Sequence, residues 1–249
     1  VKSSNTESHV NNADMTGGTD ISGVSEVVNA DTVSGNVVIP ATDGSTIFTF
    51  SSSTNRYWGL QFEGKDGDSS DTATDGSFDG IYDLKIGCIL IGESYQMPHN
   101  PEISLKRTII YDGVKIQESV GGQKFGNATH LGRRFQNVRS KSPFSTATYA
   151  PGIYGGRIIY DLNFNFLASS DIMPVEYDTE DADQDTVVSD VWNRTKGNLI
   201  PFIFSSDSTD TGNNAERSYL FARFNQNKLD MKQVAFNMFN VNLSISEEF

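Results

Sequence analysis

Two long alternating stretches near the end of the chain constrain its fold more than any other feature. In Arg157-Ile-Ile-Tyr-Asp-Leu-Asn-Phe-Asn-Phe166, the residues Ile158, Tyr160, Leu162, Phe164 and Phe166 share one parity, while Asp161, Asn163 and Asn165 take the other. Successive side chains of a strand point to opposite faces, so this pattern predicts a half-buried strand. The second stretch, residues 234 to 246, opens with Val234, Phe236 and Met238 on even positions. It then shifts to Phe239, Val241, Leu243 and Ile245 on odd ones, with Asn240, Asn242 and Ser244 opposite. The shift predicts a β-bulge near Met238. Such strands suit a sheet whose second face meets solvent, a channel or a neighbouring subunit.

A chain of 249 residues is long enough for two ordinary domains, each with its own core. Sixteen Phe among abundant Gly, Ser, Thr, Asn and Asp, with few helix-forming runs, favour a mainly β protein of two β-sandwich domains with a single docked α-helix. The formal net charge of −13 opposes attraction to the outside of nucleic acid, so no sequence-specific nucleic-acid partner is expected. In a ring, the same charge would let DNA pass through the lumen without sticking. The one cysteine, Cys88, lies in the apolar run Ile86 to Ile91, where a thiol acts as a small hydrophobe, and it permits neither an internal disulfide nor a thiolate zinc site. No apolar stretch approaches the ~18 residues of a membrane span, and no signal-peptide pattern opens the chain. A start at Val1 fits a processed or partial chain.

Residues 1–36 hold few large apolar side chains and read as an extended polar arm that becomes ordered against a partner surface or, in the alternative reading, packs on its own chain. Residues 37–98 read as a small β-sandwich of short strands at 37–39, 46–50, 57–62, 81–85 and 86–91, with Trp58 in the apolar set. The acidic loop 66–79 has several carboxylates but lacks calcium-loop spacing: the sixth position is Asp71 where Gly is required, and no Glu closes the loop. It reads as a solvated loop.

Pro98 and Pro101 mark a boundary, and residues 99–249 form the second domain. Asp112-Gly113 between two alternating segments predicts a hairpin. Arg133, Arg134, Arg139 and Lys141 make the most basic spot in an acidic chain and are candidates for contact with an acidic neighbouring subunit. One helix is predicted over 186–196, with Asp185 as N-cap, Gly197 past its end, and Val188, Val191, Trp192 and Thr195 on its docking face. The segments 199–204 and 219–224 are too apolar for surface strands.

Nothing in the chain assembles a catalytic constellation. His9, His99 and His130 have no convincing partners, and no nucleophile elbow, phosphate loop or metalloprotease helix occurs. No enzymatic activity, cofactor or metal is expected.

The ordered phrases Ile89-Leu-Ile-Gly-Glu-Ser-Tyr-Gln-Met-Pro98, Pro101-Glu-Ile-Ser-Leu-Lys106, Asp112-Gly-Val114, Gly121-Gly122, Leu131-Gly-Arg-Arg-Phe135, the long aromatic strand, Val191 to Phe204 and Tyr219 to Phe224 resemble tail proteins of tailed bacteriophages over roughly residues 55 to 249. The resemblance implies a tail-tube-like C-terminal sandwich bearing the helix. It implies a structural role in the virion, in a ring of self-copies at the distal tail or baseplate, contacting other phage tail proteins. Asp161, Asn163, Asn165, Asn240 and Asn242 then become candidates for a lumen or interface face. Two competing readings remain. In one, residues 37–98 are a discoidin-like or carbohydrate-binding module that stacks a host-surface glycan on Tyr57, Tyr82 or Tyr95. In the other, the chain is a head-tail connector or capsid decoration protein.

Overall fold

The computed structural model describes residues 1–11, 15–28, 30–34, 37–40, 46–62, 86–111, 114–127, 134–135, 153–154, 156–174, 186–209 and 218–248. The protein is mainly β, with several antiparallel sheets. It divides into two compact units, one of Val1–Glu93 with Ser205–Tyr219, the other of Ser94–Phe204 with Leu220–Phe249.

In the first unit, β1 (Lys2–Ser4) lies between β2 (Thr19–Asp20) and β7 (Tyr57–Gly59), antiparallel to both. β3 (Ser25–Val28) pairs with β6 (Ile47–Thr49), and β4 (Ala30–Ser34) with β5 (Val37–Pro40). The polar arm expected at the N-terminus is therefore built, in its described parts, into sheets of its own chain. Its polarity is compatible with burial because the hydroxyls are engaged. Ser3 Oγ accepts from Asn55 Nδ2 at 2.9 Å, and Ser4 Oγ accepts from the Thr6 N–H at 3.1 Å and sits 3.1 Å from His9 Nδ1. Trp58, expected in the core, is half-buried against Phe50, with ring centroids 5.5 Å apart.

Several of the expected strands differ in this unit. Residues 86–91 form no strand, and Ile86, Ile89, Leu90, Ile91 and Cys88 are exposed. The acidic loop 66–79 and the strand expected at 81–85 lie outside the described residues.

The second unit is built on one sheet in the order β14 (Phe202–Ser205), β15 (Tyr219–Phe224), β17 (Met238–Glu247), β13 (Arg157–Ala168), β8 (Lys106–Ile110), with β16 (Met231–Ala235) also paired to β17. Four short strands are thereby tied to one long pair. β17 carries β16 along its first half and β15 along its last residues, while β13 runs along its other side. Separate from this sheet, β9 (Lys115–Glu118) pairs with β10 (Lys124–Asn127), and β11 (Arg134–Phe135) with β12 (Ile153–Tyr154). The hairpin expected at Asp112-Gly113 is not the one formed. Those two residues lie outside the described set, β8 pairs with β13, and the tight turn is at 119–123, where the Gly122 N–H donates to Ser119 O at 2.8 Å.

The apolar parity of the two long stretches does build the core. Tyr160, Leu162 and Phe164 lie opposite Ile245, Leu243 and Val241, and all six are buried. Leu220, Ala222 and Phe224 of β15 extend that face, and Phe202 and Phe204 of β14 pack against it. Ile172 of the short α1 (Ser169–Ile172) and Val188 of α2 (Val187–Asn193) complete the cluster. Burying one such apolar side chain is worth about 1.5–3 kcal/mol, so this face supplies the dominant stabilisation of the unit.

Two local readings of these strands are corrected. The parity shift near Met238 marks a two-residue turn, Phe236-Asn237, separating β16 from β17, and Asn237 adopts the left-handed conformation with φ 56°. Beside that turn the β16–β17 register also shifts between Gln233 and Ala235, opposite Phe239 and Met238, and a second bulge lies in β13, where Asn165 and Phe166 together oppose Asn240. Phe166 has φ 57°, and the bulge turns its ring outward to 63% exposure while Leu167 takes the core position.

The expected helix is present but wound wide. Thr186, not Asp185, is the N-cap: its Oγ1 accepts from the Ser189 N–H at 3.1 Å, and its own N–H donates to Asp190 Oδ2 at 3.0 Å. Asp185 lies outside the described residues. Residues Val187–Asn193 are π-helical, and the Gly197 N–H reaches back to Trp192 O at 3.0 Å. The Thr195 hydroxyl, donating to Val191 O at 2.8 Å, competes for carbonyls that an α-helix would use. Val188, Val191 and Trp192 still meet the core, with Trp192 5.3 Å from Phe224 between ring centroids.

Candidate functional site

The second face of the β13–β17 pair gathers the polar residues singled out in the sequence. Asp161 lies opposite Ser244 and Asn163 opposite Asn242, so the register sorts polar with polar as it sorts apolar with apolar on the other side. Ser244 Oγ donates to Asp161 Oδ1 at 2.9 Å, and Lys106 Nζ of β8 stands 4.0 Å from Asp161 Oδ2. Asn240 is used by the bulge, its Oδ1 accepting from the Phe166 N–H at 3.2 Å. Asn165 Nδ2 donates to Glu102 Oε1.

Two residues not singled out in the sequence close the flanks of this face. Beyond the end of β8, the Glu102 N–H donates to Asn163 O at 2.8 Å and its carboxylate receives the Asn165 amide. On the other flank neither β15 nor β16 pairs with residues 242–244 of β17, and the Gln226 side chain stands in for a strand. It accepts from the Ser244 N–H at 2.8 Å and donates to Asn242 O at 3.1 Å. A glutamine in a loop carries no sequence signal of that role.

Among the described residues, the side-chain amides left open on this face belong to Asn163 and Asn242, directly opposite each other. Uncharged amides with unused donors and acceptors suit hydrogen bonding to water or to another protein surface; they are not a proton-transfer pair. No family model, characterised protein or solved structure matches this chain.

The other candidates are only partly placed. Arg133, Arg139 and Lys141 lie outside the described residues, and Arg134 is placed only by its backbone, in β11 opposite Tyr154. Of the proposed sugar-stacking rings, Tyr57 and Tyr95 are half-buried, and the Arg56 guanidinium sits 5.4 Å from the Tyr57 ring centroid, covering one of its faces. Tyr82 lies outside the described residues. No group of three or more metal-ligating side chains occurs among the described residues, and no described helix is long and apolar enough to cross a membrane.

Proposed function

We propose that the chain is a non-enzymatic structural subunit of a bacteriophage tail, forming with copies of itself part of a ring at the distal tail or baseplate of the virion. On this reading residues 99–249 are a tail-tube-like sandwich and residues 37–98 a smaller one. The polar face of β13 and β17, with Asp161, Asn163, Asn165, Asn240 and Asn242, lines the lumen or a subunit contact.

The observation that carries the reading is the edge of the second unit's sheet. β8 ends the strand order, so among the described residues one side of its backbone meets no further strand, and it bears Ile109 at 59% exposure with Tyr111 just beyond it, also exposed. Edge strands of solitary proteins are commonly blunted by charge, proline or a bulge, because an open apolar edge pairs with other chains. Here Lys106 and Arg107 put charge on one end of the edge, but its other end keeps Ile109, Ile110 and Tyr111 apolar and exposed, as a subunit meant to be joined there would. The acidic net charge agrees with a lumen that DNA traverses.

Native mass spectrometry and electron microscopy of the purified chain, with antibody labelling of intact particles, test the proposal. A closed ring of three or six copies located on the tail is the expected result. A strictly monomeric chain that is absent from purified particles ends it.

A further inference from the structure

We infer that the β9–β10 hairpin is the element that inserts into a second copy of this chain, docking head to tail on a surface more acidic than its own. The inference rests on the assembly reading above and names its contact.

Every described side chain of this hairpin is exposed. Its register pairs Gln117 with Phe125 and Ile116 with Gly126, so Phe125 and Ile116 lie on opposite faces, at 56% and 65% exposure. Val120 is fully exposed at the turn. A two-stranded hairpin is at best marginally stable in water without a surface to pack on. Laying it flat on any one surface would bury Ile116 or Phe125 but not both. Insertion between surfaces buries both.

Charge identifies the occupant. Residues 103–141 hold eight of the chain's 19 Lys and Arg but only two of its 32 Asp and Glu, a local excess of six positive charges in a chain of net −13. Among the described residues, Lys106, Arg107, Lys115 and Lys124 stand against Glu118 in the edge strand and hairpin. Another copy therefore offers what the hairpin lacks, while two hairpins meeting about a two-fold axis would set basic groups against each other. Complementary but different surfaces on one chain make a heterologous contact, the kind that closes into rings.

Sedimentation velocity on the full chain tests this with three variants: the pair Ile116→Asp with Phe125→Asp, the pair Lys115→Glu with Lys124→Glu, and Val120→Asp. We expect the wild type to self-associate. The apolar pair should weaken association at least about tenfold, as loss of a buried interface anchor does. The charge pair should weaken it strongly at low salt and less at high salt, and labelled apolar-pair copies should still join wild-type assemblies through their intact acceptor surface. Thermal melting at a concentration below assembly should be unchanged in all three. If the wild type associates and all variants associate equally well, the hairpin assignment is wrong and the ring reading survives. If the wild type is monomeric at every concentration and salt, both fall. A melting temperature lowered even below the assembling concentration would mean that the hairpin packs on its own unit, which also overturns the assignment.

Discussion

The β13–β17 pair and the β9–β10 hairpin belong to the same unit and follow the same antiparallel rule, yet they use alternation to opposite effect. In the long pair each cross-strand partnership is uniform: Tyr160 with Ile245, Leu162 with Leu243, Phe164 with Val241, and on the other side Asp161 with Ser244 and Asn163 with Asn242. One face is thereby wholly apolar and is buried within the chain. In the hairpin the partnerships are mixed, Phe125 with Gln117 and Ile116 with Gly126, so each face holds one large apolar side chain and neither resolves into a core. A strand pair that sorts its side chains finishes its packing internally. One that does not leaves packing to be completed by something else.

The widest separation between the two regions should appear on truncating one Phe in each. Phe164 is 2% exposed in the core cluster, and Phe164→Ala should cost about 3–5 kcal/mol from lost transfer energy and the cavity left behind. Phe125→Ala should stay within about 0.5 kcal/mol, because the folded chain does not cover that ring. Urea denaturation of both variants at a concentration below assembly decides the matter, and similar losses would collapse the distinction between the regions.

A subtler test acts where β8 joins the sheet. Gly156 is buried, and a Cβ there would stand 2.8 Å from Ile110 O and 2.6 Å from Ile109 Cγ2. Gly156→Ala must therefore push the edge strand away from β13, at about 1–3 kcal/mol for an overpacked contact. Amide hydrogen exchange should locate the lost protection in residues 106–110 and spare Leu162 to Phe164. Protection lost evenly across the sheet would show that β8 is not a separable edge.

How much of this was legible beforehand differs between the two regions for physical reasons. The mainly β class, the core parity of Tyr160 to Phe164 and Val241 to Ile245, and the docking face of Val188, Val191 and Trp192 all follow from burial on one side of a regular element, which imprints a period on the sequence. Phe166 broke the period because its outward turn depends on the Asn240 side chain of the opposing strand, a contact invisible along the chain. The turn at Phe236-Asn237 was hidden because Phe is no turn former and the left-handed position is held by Asn without a Gly. Residues 86–91 have strand-like composition but no strand, since β propensity reports fit to a half-buried surface more than a backbone preference. Of the polar face, the row of Asp and Asn could be read; Glu102 and Gln226, which close its flanks from loops, could not.

Next in size is the cap of α2, which helps hold Val188 and Trp192 against the core side of the comparison. Thr186→Ala removes the hydroxyl that accepts from the Ser189 N–H and lies 2.6 Å from Ser189 Oγ, and should cost about 1 kcal/mol. Thr186→Ser should restore most of it, as read by thermal melting. Failure of Ser to rescue would mean that the methyl group, and not the cap, is what matters there.

The smallest effect is expected at the rim, where charged groups are satisfied on exposed loops and contribute little to either region. Lys228 Nζ lies 2.8 Å from Asp230 Oδ2, and this hydrogen bond, reinforced by the carboxylate's charge, raises the Lys228 pKa above its ordinary value of 10.5. A raised value in the folded chain gives a contribution fully present below the unfolded pKa and lost as pH rises through the folded one. Lys228→Gln should therefore lower stability slightly at pH 8, and the gap should close in strongly alkaline solution. Asp207 has the opposite sign. Its pKa is lowered from 3.8, first by the Thr209 hydroxyl and then by the Thr209 N–H, so its contribution holds above that value and fades as pH falls through the depressed one. Between these limits the stability of wild type and the Lys228→Gln variant should run parallel with pH in urea titrations. A Lys228→Gln gap that widened with rising pH would reverse the assigned direction and show that the rim pair is coupled to the sheet.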